Sequence, residues 1–302
     1  MSGMAETAGV ILVVGRSGQV AGELARLDTA SRPVIALGRP DLDLTDPDSA
    51  DAAIRAHKPA VVINAAAYTA VDKAETEPDL AFGLNAAGPG HLAEACDRAD
   101  IPLVHLSTDY VFNGRGTRPW REDDPIEPLG VYGQTKAEGE ARVRLAAPRH
   151  VMLRTSWVFA GHGHNFVRTM LRLGRERAEL GIVDDQHGGP TAARDIATAC
   201  LTIADRLAGG FGDGYGTVHY SGAPATTWCG FARAVFQAAE PHGIAPPEVK
   251  PITTADYPTP AARPANSVLD CSRIETVWAI GQPDWHPALA DAVSDLLSAS
   301  AA

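Results

Sequence analysis

The sequence is poor in cysteine and has no long apolar run, and each shortage removes a class of protein. Its 302 residues include four cysteines, without a CxxC pair or a histidine at zinc-ligand spacing. Neither a disulfide framework nor a metal site is therefore predicted. The first apolar run covers only residues 10–14, whereas a membrane-spanning helix needs about 20 apolar residues. We expect no membrane or targeting segment, and a cytoplasmic protein.

Positive charge is also in short supply. The chain has 26 lysine and arginine residues against 37 aspartate and glutamate residues, which gives a net charge of −11. A protein that binds the phosphate backbone of nucleic acid needs a basic stripe, and none is visible here. Nucleic acid is therefore excluded as a partner. The hydrophobic content of 45% suffices for one large core or two modest ones.

Short β-branched runs alternate with amphipathic stretches through the first half, which is typical of βαβ units on a parallel sheet. Strands are predicted at residues 10–14, 34–37, 60–64, 103–107 and 151–154. Helices are predicted at residues 19–27, 47–56, 79–99 and 132–146. This order predicts an α/β fold with a doubly wound parallel sheet of the Rossmann type.

The second half is less regular. Helices are predicted at residues 166–177, 194–207, 227–239 and 287–298, with a strand near residues 217–220. Proline and glycine gather at residues 241–264, which predicts loops and not a layer of the sheet. We expect a dinucleotide-binding domain of residues 1–157 plus about 191–220, and a smaller C-terminal substrate-binding domain of about 158–190 plus 221–302.

A glycine turn with Gly15 and Gly18 follows the first predicted strand. There the N–H groups of a helix start can meet a dinucleotide pyrophosphate, although an ordinary βα turn is the alternative. After the second strand, Arg39 stands where NAD-specific sites hold an acidic residue. It is predicted to pair with a 2′-phosphate, or else to be a solvated turn residue. Asp43 and Leu44 are predicted to bracket an adenine, or else to lead into the next helix.

The candidate catalytic residues are Thr108, Tyr132 and Lys136. Thr108 follows the fourth predicted strand, at the edge where open α/β sheets bind ligands. Tyr132 and Lys136 are four residues apart, so one helix face carries both the phenol and the ammonium. A ketone that accepts hydride must also receive a proton, which a tyrosine donates, a lysine assists and a hydroxyl prepares by polarising the carbonyl. The alternatives are a surface tyrosine and a solvated lysine.

Seven blocks of sequence, taken together, resemble the extended short-chain dehydrogenase/reductases, and within them the dTDP-4-dehydrorhamnose reductase family. The blocks span nearly the whole chain: residues 15–20 (GRSGQV), 62–75 (VINAAAYTAVDKAE), 107–112 (STDYVF), 132–136 (YGQTK), 153–159 (LRTSWVF), 185–191 (DQHGGPT) and 263–267 (RPANS). The resemblance implies NADPH- or NADH-dependent reduction of dTDP-4-dehydro-L-rhamnose to dTDP-L-rhamnose.

The resemblance also implies a role for each matching residue. The implied cofactor contacts are Gly18, Gln19 and Val20 at the pyrophosphate, Asp43 and Leu44 at the adenosine, Ala67, Tyr68 and Thr69 in the ribose-side loop, Leu106 beneath it, and Tyr132 and Lys136 at the nicotinamide ribose. The implied contacts to the dTDP-sugar are Thr108, Asp109 and Trp157. Some family members dimerise through magnesium held by glutamates. Glu23 matches one such position, but Arg194 stands where another carboxylate would be, so a homodimer is left open and no metal is expected.

Two other functions remain open at this point. One is a 4-ketoreductase that acts on another deoxy-sugar nucleotide, because the residues specify the chemistry better than the sugar. The other is a non-catalytic regulatory subunit, since the β subunit of methionine adenosyltransferase resembles the same fold. The presence of Thr108, Tyr132 and Lys136 together argues against the second.

Overall fold

The computed structural model of the chain describes residues 9–299, so the outermost residues of both predicted domains lie outside the described residues. The strands, numbered in chain order, are β1 Ile11–Val14, β2 Val34–Leu37, β3 Val61–Asn64, β4 Leu103–Thr108, β5 His150–Thr155, β6 Val158–Phe159, β7 Glu179–Val183, β8 His187–Gly188, β9 Thr191–Ala192, β10 Gly216–His219, β11 Thr226–Thr227, β12 Glu248–Ile252 and β13 Asn266–Ser267.

The α-helices are numbered in the same way. They are α1 Gln19–Arg26, α2 Pro47–His57, α3 Val71–Ala74, α4 Pro78–Phe82, α5 Gly88–Arg98, α6 Val131–Ala146, α7 Phe166–Glu176, α8 Ala193–Ala208, α9 Trp228–Ala239, α10 Ser272–Trp278 and α11 Trp285–Ala299. A π-helical turn covers Gly83–Ala87, and 3-10 turns cover Asp109–Val111, Glu240–His242 and Thr254–Asp256. None of the helices in residues 9–299 is long and apolar enough to cross a membrane.

Within residues 9–299, six parallel strands form the central sheet in the order β10-β5-β4-β3-β1-β2. The chain passes from β1 to β2 and then crosses to β3 on the other side of β1. The strand order reverses there, which leaves a crevice at the carboxyl ends of these strands. The predicted doubly wound sheet is confirmed, and its first five strands lie within one residue of the predicted bounds.

Helices cover both faces of the sheet, so β1 and β3 are buried at every residue. Leu24 of α1 and Ile196 of α8 belong to the apolar cluster on one face. Leu92 of α5 and Val143 of α6 belong to the cluster on the other face. These two layers hold the starts of α1 and α6 at the carboxyl edge of the sheet.

A third apolar cluster forms around α7, α9 and α11. Val167, Phe231 and Leu289 are among its buried members. The helix α10, in contrast, contributes Ile274 and Trp278 to the cluster that contains α1 and α8. The chain beyond residue 221 therefore contributes to two apolar clusters, one around α7, α9 and α11 and the other beside α1 and α8.

The prediction that residues 241–264 form only loops is wrong. The strand β12 lies in this segment and pairs in parallel with β7, which was not predicted either. Pro251 is one of its paired residues. This two-stranded sheet consists of edge strands, where a proline without an N–H group is tolerated.

The helix predicted over residues 79–99 is interrupted by the π-helical turn. Pro89, in the first turn of α5, has no N–H group to donate to the carbonyl four residues earlier, which favours an irregular turn there. Asn85 lies in that turn, and its side chain bonds both the backbone N–H and the carbonyl of Tyr68, at 2.8 and 3.0 Å. The interruption thus secures the loop after β3.

Candidate active site

A cleft of about 640 Å³ opens at the carboxyl edge of the central sheet. This volume lies within the range of about 300–1,000 Å³ that is usual for ligand pockets. The predicted site residues that line it are Gly15, Gly18, Gln19, Val20, Arg39, Asp43, Leu44, Ala67, Thr69, Leu106, Thr108, Tyr132, Lys136 and Trp157. Tyr68 and Asp109 do not line it. The fold thus brings most of the predicted residues to one place.

The glycine turn lies at the floor of the cleft and leads into α1. Gly15 has φ of 123°, and a Cβ there would lie 3.3 Å from the Cβ of Ala21, so this tight turn suits glycine. Gly18 is the N-cap of α1, and no side chain caps that turn. The first N–H groups of α1 therefore have no side-chain acceptor, as an anion site at a helix start requires.

Arg39 and Asp43 line the cleft beyond β2. The side chain and backbone of Thr45 donate hydrogen bonds to Asp43 Oδ1, at 2.7 and 2.9 Å, and these bonds lower the pKa of the Asp43 carboxyl. The nearby Arg39 guanidinium acts in the same direction. Asp43 is therefore a carboxylate at neutral pH and an acceptor for an amino group.

Tyr68 supports the cleft from behind. Its phenol donates a hydrogen bond of 2.5 Å to Glu77 Oε2, and that bond raises the pKa of Tyr68 to about 12. Its backbone is held by Asn85. The neighbouring residues Ala67 and Thr69 face the cleft. Tyr68 is thus part of the scaffold of this loop.

Tyr132 and Lys136 lie one turn apart at the start of α6, opposite the end of β4. Lys136 is buried, and its Nζ donates a hydrogen bond to the Leu106 carbonyl oxygen at 2.7 Å. The Thr108 hydroxyl lies close enough to the Tyr132 phenol to lower the pKa of that phenol. Three groups that can serve proton transfer therefore meet at one end of the cleft.

The electrostatics of the two α6 residues are dominated by burial. Burial raises the pKa of Tyr132 to about 12, the neighbouring Thr108 hydroxyl opposes the rise, and the Asp109 charge adds to it. Burial lowers the pKa of Lys136 to about 8, and the Glu140 carboxylate opposes that change. The lowering of the tyrosine pKa that a neighbouring ammonium favours is thus outweighed by burial in this geometry.

Asp109 lies directly behind Thr108, with 2% of its surface exposed. The Thr108 Oγ1 donates a hydrogen bond to Asp109 Oδ1 at 3.1 Å. Burial raises the pKa of the Asp109 carboxyl to about 6, although its hydrogen bonds act to lower it. The structure therefore places Asp109 in contact with a residue of the cleft wall, and not in the wall itself.

Trp157 lies between β5 and β6 and lines the cleft. Its φ is 49°, a left-handed conformation that is rare for a tryptophan. A Cβ at Gly188 would lie 2.4 Å from Cε2 of this indole, so only glycine fits there. The 153–159 and 185–191 blocks of sequence therefore meet at this contact.

Several residues of the cleft wall were not predicted as site residues. They are Arg16, Ser17, Ser107, Tyr110, Ser156 and His164, among others. Arg16, Ser17, Ser107, Tyr110 and Ser156 belong to the recognised blocks, which was a usable signal. His164 lies in a loop that only the fold brings to α1, where His162 Nε2 meets Glu23 Oε1 at 2.7 Å. No local sequence pattern indicates that His164 lies at the cleft.

The two residues considered for magnesium have other partners. Glu23 contacts His162 and also Arg26 Nη1, the latter at 2.7 Å. Arg194 forms an ion pair of 3.1 Å with Asp291. Among residues 9–299 there is no group of three or more His, Cys, Asp or Glu side chains placed to hold a metal ion.

Comparison with known proteins extends the likeness over the whole described chain. Residues 9–298 match the family model described as RmlD substrate binding domain. The dTDP-4-dehydrorhamnose reductase of Aggregatibacter actinomycetemcomitans is 45% identical over 283 residues, which cover 92% of this chain and 96% of that protein.

Two solved structures are similar as well. The crystal structure of a dTDP-4-dehydrorhamnose reductase from Clostridium acetobutylicum has a TM-score of 0.87 at 38% identity, and covers 96% of this chain and 99% of its own. The enzyme of that name from Bacillus anthracis, in complex with NADP, has a TM-score of 0.86 at 31% identity, and covers 93% of this chain and 97% of its own. The resemblance drawn from seven blocks of sequence is thus confirmed, and the chain belongs to the dTDP-4-dehydrorhamnose reductase family.

Proposed function

We propose that this chain reduces the C4 ketone of dTDP-4-dehydro-L-rhamnose to dTDP-L-rhamnose, with NADPH or NADH as the hydride source. The observation that carries the proposal is the meeting of Thr108, Tyr132 and Lys136 at one end of a cleft whose other parts include the glycine turn. Membership of the dTDP-4-dehydrorhamnose reductase family supports the choice of substrate.

The residues of the cleft fit a nicotinamide dinucleotide. The absence of a side chain at Gly18 leaves open space, since a Cβ there would meet nothing within 4 Å. The adjoining helix start suits a pyrophosphate, and Arg39 supplies a cation beyond β2. In this proposal Gly15, Gly18, Gln19, Val20, Arg39, Asp43, Leu44, Leu106 and the loop of Ala67, Tyr68 and Thr69 hold the cofactor, which supplies the hydride when bound. The Bacillus anthracis relative was solved with NADP.

Tyr132 is the proton donor of this proposal. Its raised pKa keeps the phenol protonated at neutral pH, so a proton is available when the ketone oxygen gains negative charge. The Thr108 hydroxyl lies beside it, and on substrate binding this hydroxyl would turn from Asp109 and donate a hydrogen bond to the same oxygen. Lys136, as an ammonium, stabilises the phenolate that remains after proton transfer and holds the nicotinamide ribose.

The sugar nucleotide is assigned to Thr108, Asp109 and Trp157. The indole of Trp157 offers a flat apolar wall to the deoxy-sugar. Asp109 acts on the sugar through Thr108, because its carboxyl is buried and receives the Thr108 hydrogen bond. Together these residues would orient the C4 carbonyl toward Tyr132.

The predicted division of the chain is kept within this proposal. Residues 1–157 plus about 191–220 would form the dinucleotide-binding domain, and about 158–190 plus 221–302 the substrate-binding domain. The separate apolar cluster of α7, α9 and α11 supports it, with α10 packed on the first domain. We also propose a cytoplasmic location, supported by four cysteines that are buried and free. Any homodimer is proposed to form without magnesium.

The test supplies the purified protein with dTDP-4-keto-6-deoxyglucose, the 3,5-epimerase and NADPH. NADPH oxidation that requires the epimerase, with dTDP-L-rhamnose as the product identified by NMR, is the expected result. The Tyr132→Phe protein is the matched control for background oxidation. A different C4 epimer, or oxidation without the epimerase, would point to another deoxy-sugar nucleotide.

A further inference from the structure

A stripe of four side chains runs along α6, away from the cleft. Tyr132, Lys136, Glu140 and Arg144 recur every fourth residue, so they share one face of the helix. Lys136 and Glu140 are buried, with 2% and 0% of their surface exposed. Arg144, at the far end, has 38% of its side chain exposed. A buried carboxylate thus follows Lys136 by one helical turn.

Glu140 is held as a carboxylate by two arginines. Arg154 of β5 donates from Nε to Oε1 at 2.8 Å and from Nη2 to Oε2 at 2.7 Å. Arg144 donates to Oε2 at 2.5 Å. Burial acts to raise the pKa of the Glu140 carboxyl, but Arg154, with smaller contributions from Ser107 and Arg144, outweighs it and lowers that pKa. Glu140 is therefore negative throughout the working pH range.

Lys136 has neutral neighbours on its other sides. Its Nζ bonds the uncharged carbonyl of Leu106 at 2.7 Å. His105 of β4 is buried and uncharged, because burial and the Lys136 charge lower its pKa well below the usual value. Asn85 of the π-helical turn reaches Thr135 and carries no charge. An ammonium in such surroundings needs an anion, since burial alone favours the neutral amine.

The other ionisable groups packed against α6 act elsewhere. Asp109 and Tyr110, from the 3-10 turn after β4, face Tyr132. Glu75, just after α3, accepts a hydrogen bond from the Val131 N–H at 2.9 Å. Arg154 and its neighbour His219 of β10 lie on the Glu140 side. Glu140 is thus the anion on the Lys136 side of the stripe.

We propose that Glu140 is a positioning residue for the reduction, the buried counter-charge that keeps Lys136 an ammonium beside Tyr132 at neutral and mildly alkaline pH. The inference rests on the proposed function, in which that ammonium supports proton transfer and holds the ribose. Arg154 serves it indirectly, because its two hydrogen bonds keep Glu140 ionised, whereas the charge of Arg144 partly offsets that of Glu140. Without the carboxylate, Lys136 would lose its proton at a lower pH.

The test is the pH dependence of kcat in the full chain. Glu140→Gln alone would leave Arg154 buried without its anion, which destabilises a fold. The double variant Glu140→Gln/Arg154→Met removes both charges, an exchange that buried ion pairs tolerate. Glu140 is the charged group that acts on Lys136, and Arg154 is not among the causes of the Lys136 pKa shift, so we expect the alkaline limb of the profile to move to lower pH, by on the order of one unit. Glu138→Gln/Arg142→Met, an exposed pair of 2.9 Å on the same helix, is the control and leaves the limb in place.

If the double variant does not fold, a second variant provides the test. Arg144→Met removes a partly exposed cation from beside Glu140, so the Glu140 charge acts more strongly on Lys136, and the alkaline limb should move to higher pH by a few tenths of a unit. An unmoved limb in either folded variant, even with kcat lowered at every pH, overturns the proposal and leaves Glu140 a structural partner of Arg154.

The dissociation constant for NADPH gives a readout apart from turnover. Lys136 is proposed to hold the ribose, so NADPH binding should weaken with rising pH over the same range in which kcat falls. The pH at which binding weakens should shift in the same variants. A wild-type protein that binds NADPH without reducing the keto-sugar would contradict the proposed function alone. If the pH at which NADPH binding weakens is the same in the folded variants as in the wild type, the role of Glu140 is contradicted.

Discussion

The indole rings of Trp157 and Trp228 stack face to face, with centroids 3.6 Å apart and planes 8° from parallel. Trp157 lines the cleft, whereas Trp228 is absent from its wall and begins α9. Trp228 therefore supports, from behind, an aromatic wall whose backbone has a rare conformation. The second tryptophan connects the cluster of α7, α9 and α11 to the proposed sugar site.

Trp228→Ala should weaken sugar-nucleotide binding without changing cofactor binding. Aromatic pairs are worth about 0.5–1.5 kcal/mol beyond their buried area, so KM for the dTDP-sugar should rise roughly 2- to 10-fold. Trp228→Phe keeps a ring and should restore most of the affinity. Steady-state kinetics with each substrate varied in turn measures both constants. An equal rise of the two KM values would mean that the substitution disturbs the whole fold.

Arg39→Asp should reverse the preference between cofactors. Arg39 lines the cleft and offers a guanidinium to a 2′-phosphate, so NADPH should serve the wild-type protein at least as well as NADH. The measurement is the ratio of kcat/KM for the two cofactors. Arg55→Asp, on the exposed side of α2, makes the same charge change as a control. An unchanged ratio in the Arg39 variant would make this residue a surface turn residue only.

The sequence predicted the sheet well because its strands have a local signal. Short β-branched runs mark the strands of the central sheet. The motif residues lie at or just after the ends of β1 and β4, and at the start of α6. A strand such as β12 gives a weaker signal, since Pro251 and the polar residues of an exposed two-stranded sheet hide it. Its partner β7 is distant in the chain, and pairing across that distance leaves no local pattern.

The same limit explains which site residues were missed. Trp228 and His164 reach the site only through packing between segments far apart in the sequence. The Glu140–Arg154 contact is equally invisible, although each residue lies in or near a recognised block. Asp109 was predicted to contact the sugar nucleotide, and its burial behind Thr108 depends on the surrounding fold.

Asp109→Asn should stabilise the protein above acidic pH. The folded-state pKa of about 6 exceeds the usual value of about 3.9, so the folded state binds more protons than the unfolded state between these values. Stability is therefore lost as pH rises through that window. The variant should gain about 1–3 kcal/mol at neutral pH and little below about pH 4. Chemical denaturation at several pH values measures the difference.

Exposed Asp123→Asn is the control for the Asp109 experiment, because it removes a carboxylate that does not lie in the interior. Its difference from wild type should stay small at every pH. A gain for Asp109→Asn that does not depend on pH would show that the charge of this carboxylate is not the cause. The variant should also lose activity, since Asp109 receives the Thr108 hydrogen bond.

Chelation by EDTA should leave the activity intact. Hydride and proton transfer in the proposed mechanism need no metal, and Glu23 and Arg194 are engaged with other side chains. Any homodimer should survive as well. Activity assays and size-exclusion chromatography, each with and without EDTA, check both expectations. Loss of activity that magnesium alone restores would contradict them.

Lys136→Met should lower both kcat and the affinity for NADPH, because the ammonium is proposed to support the Tyr132 phenolate and to hold the ribose. Its burial at the Leu106 carbonyl makes methionine a replacement of similar length without charge. Binding of NADPH is measured by fluorescence titration and kcat under saturating substrate. A fall in kcat with unchanged NADPH affinity would remove the ribose contact from the account.

The most direct test of the central claim is kcat of Tyr132→Phe. The substitution removes one hydroxyl from a half-buried ring, and this hydroxyl is protonated at neutral pH because its pKa is raised to about 12. General-acid catalysis contributes about 10²–10⁴-fold, so kcat should fall within that range while NADPH affinity changes far less. A Tyr132→Phe protein that keeps more than about a tenth of the wild-type kcat, well above that range, would contradict the assignment of Tyr132 as the proton donor.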